Sequence, residues 1–433
     1  MRGDRDKAGA GRDSGTDSGR DPGMEPGVDS GMDTGPETGM DTGPETDEVL
    51  EDLRALVEIE SPSSDLAAVR SAAEMHLGQL QRHAGGRGEV AEDGLLVWES
   101  SGTPSDGDGE TAGASSTSSR GATVAGSPPV LLLGHLDTVW SHGTLARLPF
   151  AVRDGRVTGP GVFDMKAGLV VVAHALGRLR EQGRLPAVRV LVTPDEEIGA
   201  PRSRERILAE AAACSRVLVC EPSGPDGALK VGRKGMARGR VVAHGRAAHS
   251  GLDPEQGINA AVVLGRVLAD IEALSDPQRG TTVVPTLVRA GSAINTVPAL
   301  AEADLDVRFC RPEEADRVRA GLQALPVPPG ARIDVELEVN RGPLTPAASD
   351  ALLPVLRAAE AAAGWQRALD TVEVGGASDG NLAAEAGAGV LDGLGPRGAG
   401  AHADHEHVVL ADLVPRVRLL TELVARVAAM PVA

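Results

Sequence analysis

The side chains best suited to chemistry in this sequence stand where apolar runs stop. Residues 130–133 (VLLL) have no polar break, and His135 and Asp137 follow directly after Gly134. Such a run reads as a strand buried on both faces. Positions i and i+2 of an extended chain point to one side, so the imidazole and the carboxylate leave the strand end together. A metal-binding histidine commonly gives its second ring nitrogen to a carboxylate. A core histidine with a satisfied hydrogen bond looks the same. The pattern recurs, however. Asp164 opens DMKAG, Glu196 and Glu197 close the run 188–193, Glu221 closes RVLVC, and His402 lies in the Gly-rich AGAHADHEH. Two imidazoles and three carboxylates suit a borderline divalent ion such as zinc. One shared carboxylate allows two ions about 3.5–4 Å apart, which generate a nucleophile from water near neutral pH. A carboxylate outside the ligand set must then move protons, and the pair at 196 and 197 has one to spare. Taken singly, each element has a plainer explanation. The Glu pair could be a solvated helix start, Asp164 a helix cap, and His402, His405 and His407 a surface patch.

These residues need a scaffold that delivers strand ends to one place. Apolar strands at 130–133, 188–193 and 216–219 alternate with helical stretches such as AGLVVVAHALGRLREQ and RERILAEAAAC. That alternation predicts a mostly parallel sheet with helices on both faces, whose sites lie at the carboxyl ends of the strands. The rhythm changes over 232–341 to strand, helix, two strands, helix, strand. This is the order of a small ferredoxin-like α+β unit, and we place it as an insertion between 47–231 and 342–433. Helix 348–363, the loop EVGGASDG, strand AGVLDGLGP and a closing helix 411–429 complete the second part.

The N-terminal 46 residues are mostly Gly, Asp, Thr, Pro and Glu, with almost no large apolar side chains and with GMDTGPET twice in succession at 31–38 and 39–46. Such a segment buries too little to offset its ordering entropy and reads as a disordered acidic tail. Residues 100–128 are again Ser, Gly, Thr and Asp, a long flexible insertion. The formal charge of −19 argues against nucleic acid as a partner. No apolar stretch is long enough to span a membrane, and the polar N-terminus has no secretory apolar core. Three cysteines without a CxxC spacing fit a reducing, cytoplasmic setting. With no Tyr, three Phe and three Trp, the core must be aliphatic.

From about residue 50 to the C-terminus the chain resembles the cocatalytic zinc exopeptidases and deacylases, the family of glutamate carboxypeptidase, acetylornithine deacetylase and succinyl-diaminopimelate desuccinylase. The resemblance rests on GHLDTV at 134–139, GPGVFDMKAG at 159–168, TPDEEIG at 193–199, CEPS at 220–223, HGRAAHSG at 244–251 and HADHE at 402–406. It implies two Zn²⁺ ions per subunit, with Co²⁺ or Mn²⁺ as substitutes. His135 and Glu221 would hold one ion, Glu197 and His402 the other, and Asp164 would bridge them. His405 is the rival to His402. Asp137 would orient His135, and Glu196 would be the general base. The bond after Asp164 would be cis.

The resemblance further implies that the inserted unit forms a homodimer. His249 would reach the partner's site and stabilise the developing oxyanion. Asn295 resembles a substrate-contacting Asn, and Arg308 the guanidinium that pairs with a substrate carboxylate. Gly375, Gly376 and Ser378 resemble the loop lining the substrate pocket. The motifs stand nearer to glutamate carboxypeptidase than to the deacetylases. The expected activity is release of a C-terminal amino acid from a small peptide or N-acyl amino acid. The alternative is an N-acyl-amino-acid deacylase, and the remote one a non-catalytic dimeric scaffold.

Overall fold

The computed structural model describes residues 43–100, 128–214 and 216–431. Residues 1–42 of the expected tail, and the expected insertion from 101 to 127, lie outside the described residues. The expected tail boundary at residue 46 is corrected. Helix α1 (Pro44–Val57) begins before Asp47. Pro44 supplies a preset φ at the first turn, and Glu45 is held by Arg178 and Arg418, at 2.5 and 2.8 Å.

Eight strands form the main sheet, in the order Arg87–Val90, Leu96–Glu99, Val188–Thr193, Val130–His135, Arg216–Val219, Gly389–Asp392, Leu229–Arg233 and Thr371–Val374. The central ladders of Val130–His135 with Val188–Thr193 and Arg216–Val219 are parallel. The Arg87–Val90 and Leu96–Glu99 strands add an antiparallel edge. Every residue of Val130–His135 is buried, as an unbroken apolar run between two helical layers requires. Helices α2 (Leu66–Ala84) and α3 (Ala167–Glu181) pack with α1 on one face, along with the closing helix Leu413–Ala428. Leucine, valine and alanine fill this core, with Trp98 fully buried and its Nε1 donating to the Gly85 carbonyl at 2.9 Å.

A second, four-stranded antiparallel sheet runs Thr282–Ala290, Leu300–Phe309, Gly235–His244, Arg332–Arg341. With helices Ala260–Glu272 and Pro312–Gln323 it gives the order strand, helix, two strands, helix, strand, and it has its own aliphatic core. Glu314 ties this unit together. Its buried carboxylate accepts from Thr281 Oγ1 and Arg317 Nε at 2.8 Å and from Arg279 Nη1 at 3.0 Å. Burial would raise its pKa, but these donors overcome that and hold it down to about 2. The folded pKa thus lies below the usual 4.5, so the stabilisation is complete above that value and is lost as pH falls toward 2. Glu314→Ala is expected to cost about 1–3 kcal/mol in urea unfolding, with the penalty shrinking in acid. A penalty unchanged between neutral pH and the acid limb would refute this.

Candidate active site

The main sheet delivers the predicted ligands to one place. His135 ends the central strand and is 1% exposed. Its Nδ1 lies 2.9 Å from the Asp137 carbonyl oxygen and 3.4 Å from the Asp137 carboxylate. Its Nε2 faces Asp164 Oδ1 at 3.1 Å and Glu221 Oε1 at 3.4 Å. From the other side, His402 Nε2 lies 3.5 Å from Asp164 Oδ2 and 3.2 Å from Glu197 Oε2. Asp164 therefore presents one oxygen to each imidazole. His402 takes up a left-handed φ of 63° to do so. The rival His405 is exposed, and its carbonyl accepts from His407 Nδ1 at 2.9 Å.

Each side chain is held from behind. Both Asp137 oxygens accept backbone N–H groups, from Glu196 at 3.0 Å and Glu197 at 3.2 Å, and Ser63 Oγ donates at 2.7 Å. One buried carboxylate thereby fixes His135 and the Glu pair together. The loop carrying Asp164 is held by Glu406, which accepts from the N–H groups of Gly161, Phe163 and Asp164 at 2.9, 2.9 and 3.1 Å and from Trp140 Nε1 at 2.7 Å. The Asp164–Met165 peptide is cis, as expected. Gly168 completes the motif for a steric reason: a Cβ there would lie 1.9 Å from the Cys220 carbonyl oxygen.

The electrostatics are those of a cation site. Burial would lower the pKa of His135, but Asp137, Asp164 and Glu221 raise it well above the usual imidazole range. Burial would raise Asp164, yet His135 and His402 hold it low. Glu197 is pushed up, by burial first and then by Asp164. Three carboxylates crowded at hydrogen-bond range around two imidazoles offer oxygen and nitrogen donors in the proportion a divalent pair takes. The donor atoms of His135, Asp164 and Glu197 lie within 4.8 Å of one another, as do those of His135, Glu196 and Glu221.

Glu196 differs from its neighbours. Arg341, buried at the end of the second sheet's last strand, grips Glu196 Oε1 and donates to Asp379 Oδ1 at 2.9 Å. Burial pushes the Glu196 carboxyl up to about 8 against the pull of Arg341, with Asp379 adding to the rise. Arg233 plays a similar part beside Glu221, at 3.3 Å, while bonded to Asp392 at 2.8 Å. The sequence reading missed Arg341, Arg233 and the grip of Glu406 on the Asp164 loop.

The remaining predicted residues are not among these donors, although the Gly376 carbonyl accepts from Arg233, the arginine beside Glu221, at 3.2 Å. His249 and Asn295 are exposed on adjoining loops, where the Ser250 N–H donates to the Asn295 carbonyl at 3.0 Å. Their described contacts are local. Arg308 lies on Leu300–Phe309 with its guanidinium bidentate on Asp306 at 2.8 and 2.9 Å. Gly375 and Gly376 are exposed with open space around their α-carbons. Ser378 is buried instead. Its hydroxyl donates to Asp392 at 2.7 Å and caps the helix Asp379–Glu385.

The model of peptidase family M20/M25/M40 matches residues 131–426. The chain belongs to this family. It is 33% identical over 312 residues to carboxypeptidase G2 of Pseudomonas sp. strain RS-16, covering 67% of this chain and 72% of that protein. It is also 31% identical over 324 residues to a succinyl-diaminopimelate desuccinylase of Methylorubrum extorquens, covering 67% and 81%. Among solved structures, an aminopeptidase, PepT, of Bacillus cereus has the same fold, with TM-score 0.67 at 19% identity over 88% of this chain and 99% of that one. A dinuclear metal-binding M20 peptidase of Bacillus subtilis superposes with TM-score 0.59 at 16% identity, over 88% and 98%. The expected family and the mixed α/β architecture with a separate antiparallel sheet therefore hold. The chain is an M20 metallohydrolase, and its two donor groups are those of a dinuclear centre.

Proposed function

We propose that this protein is a two-zinc carboxypeptidase that releases a C-terminal amino acid, glutamate in the first instance, from a small peptide or N-acyl amino acid. The observation that carries the reading is Asp164, whose two oxygens face two separate imidazoles. His135 and Glu221 would hold one ion, Glu197 and His402 the other, with Asp164 between. Bound there, the ions supply Lewis acidity and make water a nucleophile near neutral pH. Asp137 keeps the His135 tautomer and aligns the two glutamates. Glu196, gripped at Oε1 by Arg341, takes the proton of the attacking water and returns it to the leaving amine. Likeness to carboxypeptidase G2 supports the choice of leaving group.

Desuccinylase relatives at similar identity favour a second reading, an N-acyl-amino-acid deacylase with the same machinery. A panel of C-terminal glutamyl and alanyl peptides, N-acetyl amino acids and N-succinyl-diaminopimelate separates them. Fastest hydrolysis of the glutamyl substrates, with stoichiometric glutamate release, is expected. Preference for an N-acyl diamine would overturn the carboxypeptidase reading.

The second sheet would belong to an inserted unit over 232–341 that pairs two subunits. Its outer strand Thr282–Ala290 leaves an open edge with Val284, Leu287 and Val288 about half exposed, an edge that proteins normally cover. His249, exposed and with its contacts in its own loop region, would act in the partner's site. Asn295 and the Gly375 and Gly376 loop would contact substrate, and Arg308 would exchange Asp306 for the substrate carboxylate. His249→Ala is expected to abolish most turnover, and mixing it with Glu196→Gln subunits should restore it. Random exchange across a two-fold dimer gives about one quarter of wild-type activity. Failure to complement would refute the shared site. Free thiols at Cys214, Cys220 and Cys310 support a cytoplasmic setting. Among the described residues no helix is long and apolar enough to cross a membrane.

A further inference from the structure

A second group of metal-type donors lies outside the active site, between the first three long helices. Asp52 comes from α1, His83 from α2 and His174 from α3. His83 Nε2 is 2.7 Å and His174 Nε2 2.9 Å from the same oxygen, Asp52 Oδ2. The two rings are 4.2 Å apart, centroid to centroid. The other Asp52 oxygen is taken by Arg82, and the Asp52 carbonyl by Gln79 Nε2 at 2.8 Å. A buried carboxylate that needed only neutralising already has Arg82, so two imidazoles on its remaining oxygen exceed that need. Burial would raise the Asp52 pKa, but His174, His83 and Arg82 keep it low, so the oxygen is an anionic donor.

We propose that Asp52, His83 and His174 form a third metal site, taking a zinc-class divalent cation that clamps the three helices. Donors bound at about 2.0–2.2 Å around a tetrahedral ion lie roughly 3.3–3.6 Å apart, so the 2.7 and 2.9 Å separations seen would open by about half an ångström to admit it, and all three donor atoms already lie within 4.8 Å of one another. His83 Nδ1 lies 3.9 Å from Glu48 Oε1, one turn before Asp52 on α1, beyond hydrogen-bond range but on the side from which an outer carboxylate can orient a ligating imidazole. A cavity of about 200 Å³, bordered by Glu45, Glu48, His83 and His174, leaves room for a completing water ligand. The role is structural: three helices distant in sequence are pinned at one point.

Zinc binding by the full chain tests this without relying on turnover. Wild type dialysed against Zn²⁺ is expected to hold three ions per subunit by elemental analysis, and His174→Ala two, with hydrolysis unchanged. Asp164→Asn, which dismantles the catalytic pair, should keep one ion. That ion should vanish in Asp164→Asn/His174→Ala and should raise the melting midpoint of the single variant. His83→Gln, nearer the surface, replaces His174→Ala if the latter does not fold. Retention in Asp164→Asn that neither histidine substitution alters, or no retention at all, overturns the third site. Wild type holding a single ion that His174→Ala removes would uphold this site while the dinuclear reading failed.

Discussion

Glu196→Gln is expected to lower kcat by about 10²–10⁴-fold, the range for loss of a positioned general base, while bound zinc and KM stay near wild type. The expectation follows from what Glu196 touches. Its backbone N–H is pinned to Asp137 at 3.0 Å, and its carboxylate is drawn aside by Arg341. A glutamine keeps the shape and can still accept from Arg341, so the site is not dismantled. It cannot take a proton from water. Elemental analysis must accompany the kinetics, because a variant that also lost metal would report a ligand rather than a base. Normal turnover with full metal occupancy would sink the assignment. Moving the role to Glu197 would not save it, since Glu197 lies 3.2 Å from His402 and belongs to the donor set.

The contrast between Glu196 and Glu197 shows how far the sequence could be read. Both were visible as acids at a strand end, and one was surplus to ligation. Glu196 is the one that Arg341 grips, from 145 residues away on another sheet. A contact at that separation leaves no local period or spacing. The same holds for Glu406, whose three backbone partners belong to the Asp164 loop. The spacing from His402 to Glu406 was legible, but not what Glu406 grips. By contrast, His135 could be placed from the apolar run before it, because a buried strand has one exit and the residues after it go where the sheet ends. Ser378 is ambiguous for the opposite reason. A serine before a helical stretch is as good a cap as a substrate contact, and its cap and its bond to the buried Asp392 are contacts that no spacing announces. The start of α1 was missed because the Gly- and Pro-rich composition continued past Pro44, where a proline serves equally to begin a helix.

Asp164→Asn is expected to do the most damage of any single substitution. Both donor groups meet at this carboxylate, 3.1 Å from His135 and 3.5 Å from His402. Asparagine offers one carbonyl oxygen and no charge, so both sides lose the shared anionic donor and are left with one imidazole and one carboxylate each. The two catalytic ions should be lost together. Metal catalysis supplies several kcal/mol, and about 5–6 kcal/mol is roughly 10⁴-fold in rate, so hydrolysis should fall by at least that order. Glu406 would still hold the loop through the backbone of residues 161, 163 and 164. The chain should therefore fold, with an unchanged circular dichroism spectrum. Stability supplies an independent measure. A ligand that binds only the folded state at 100 times its Kd adds about 2.7 kcal/mol, so zinc should raise the melting midpoint of wild type more than that of the variant. Stepwise loss, with one catalytic ion retained and partial activity, would mean that the two donor groups bind independently. Asp164 would then belong to one ion rather than to both, and its bridging role would have to be abandoned.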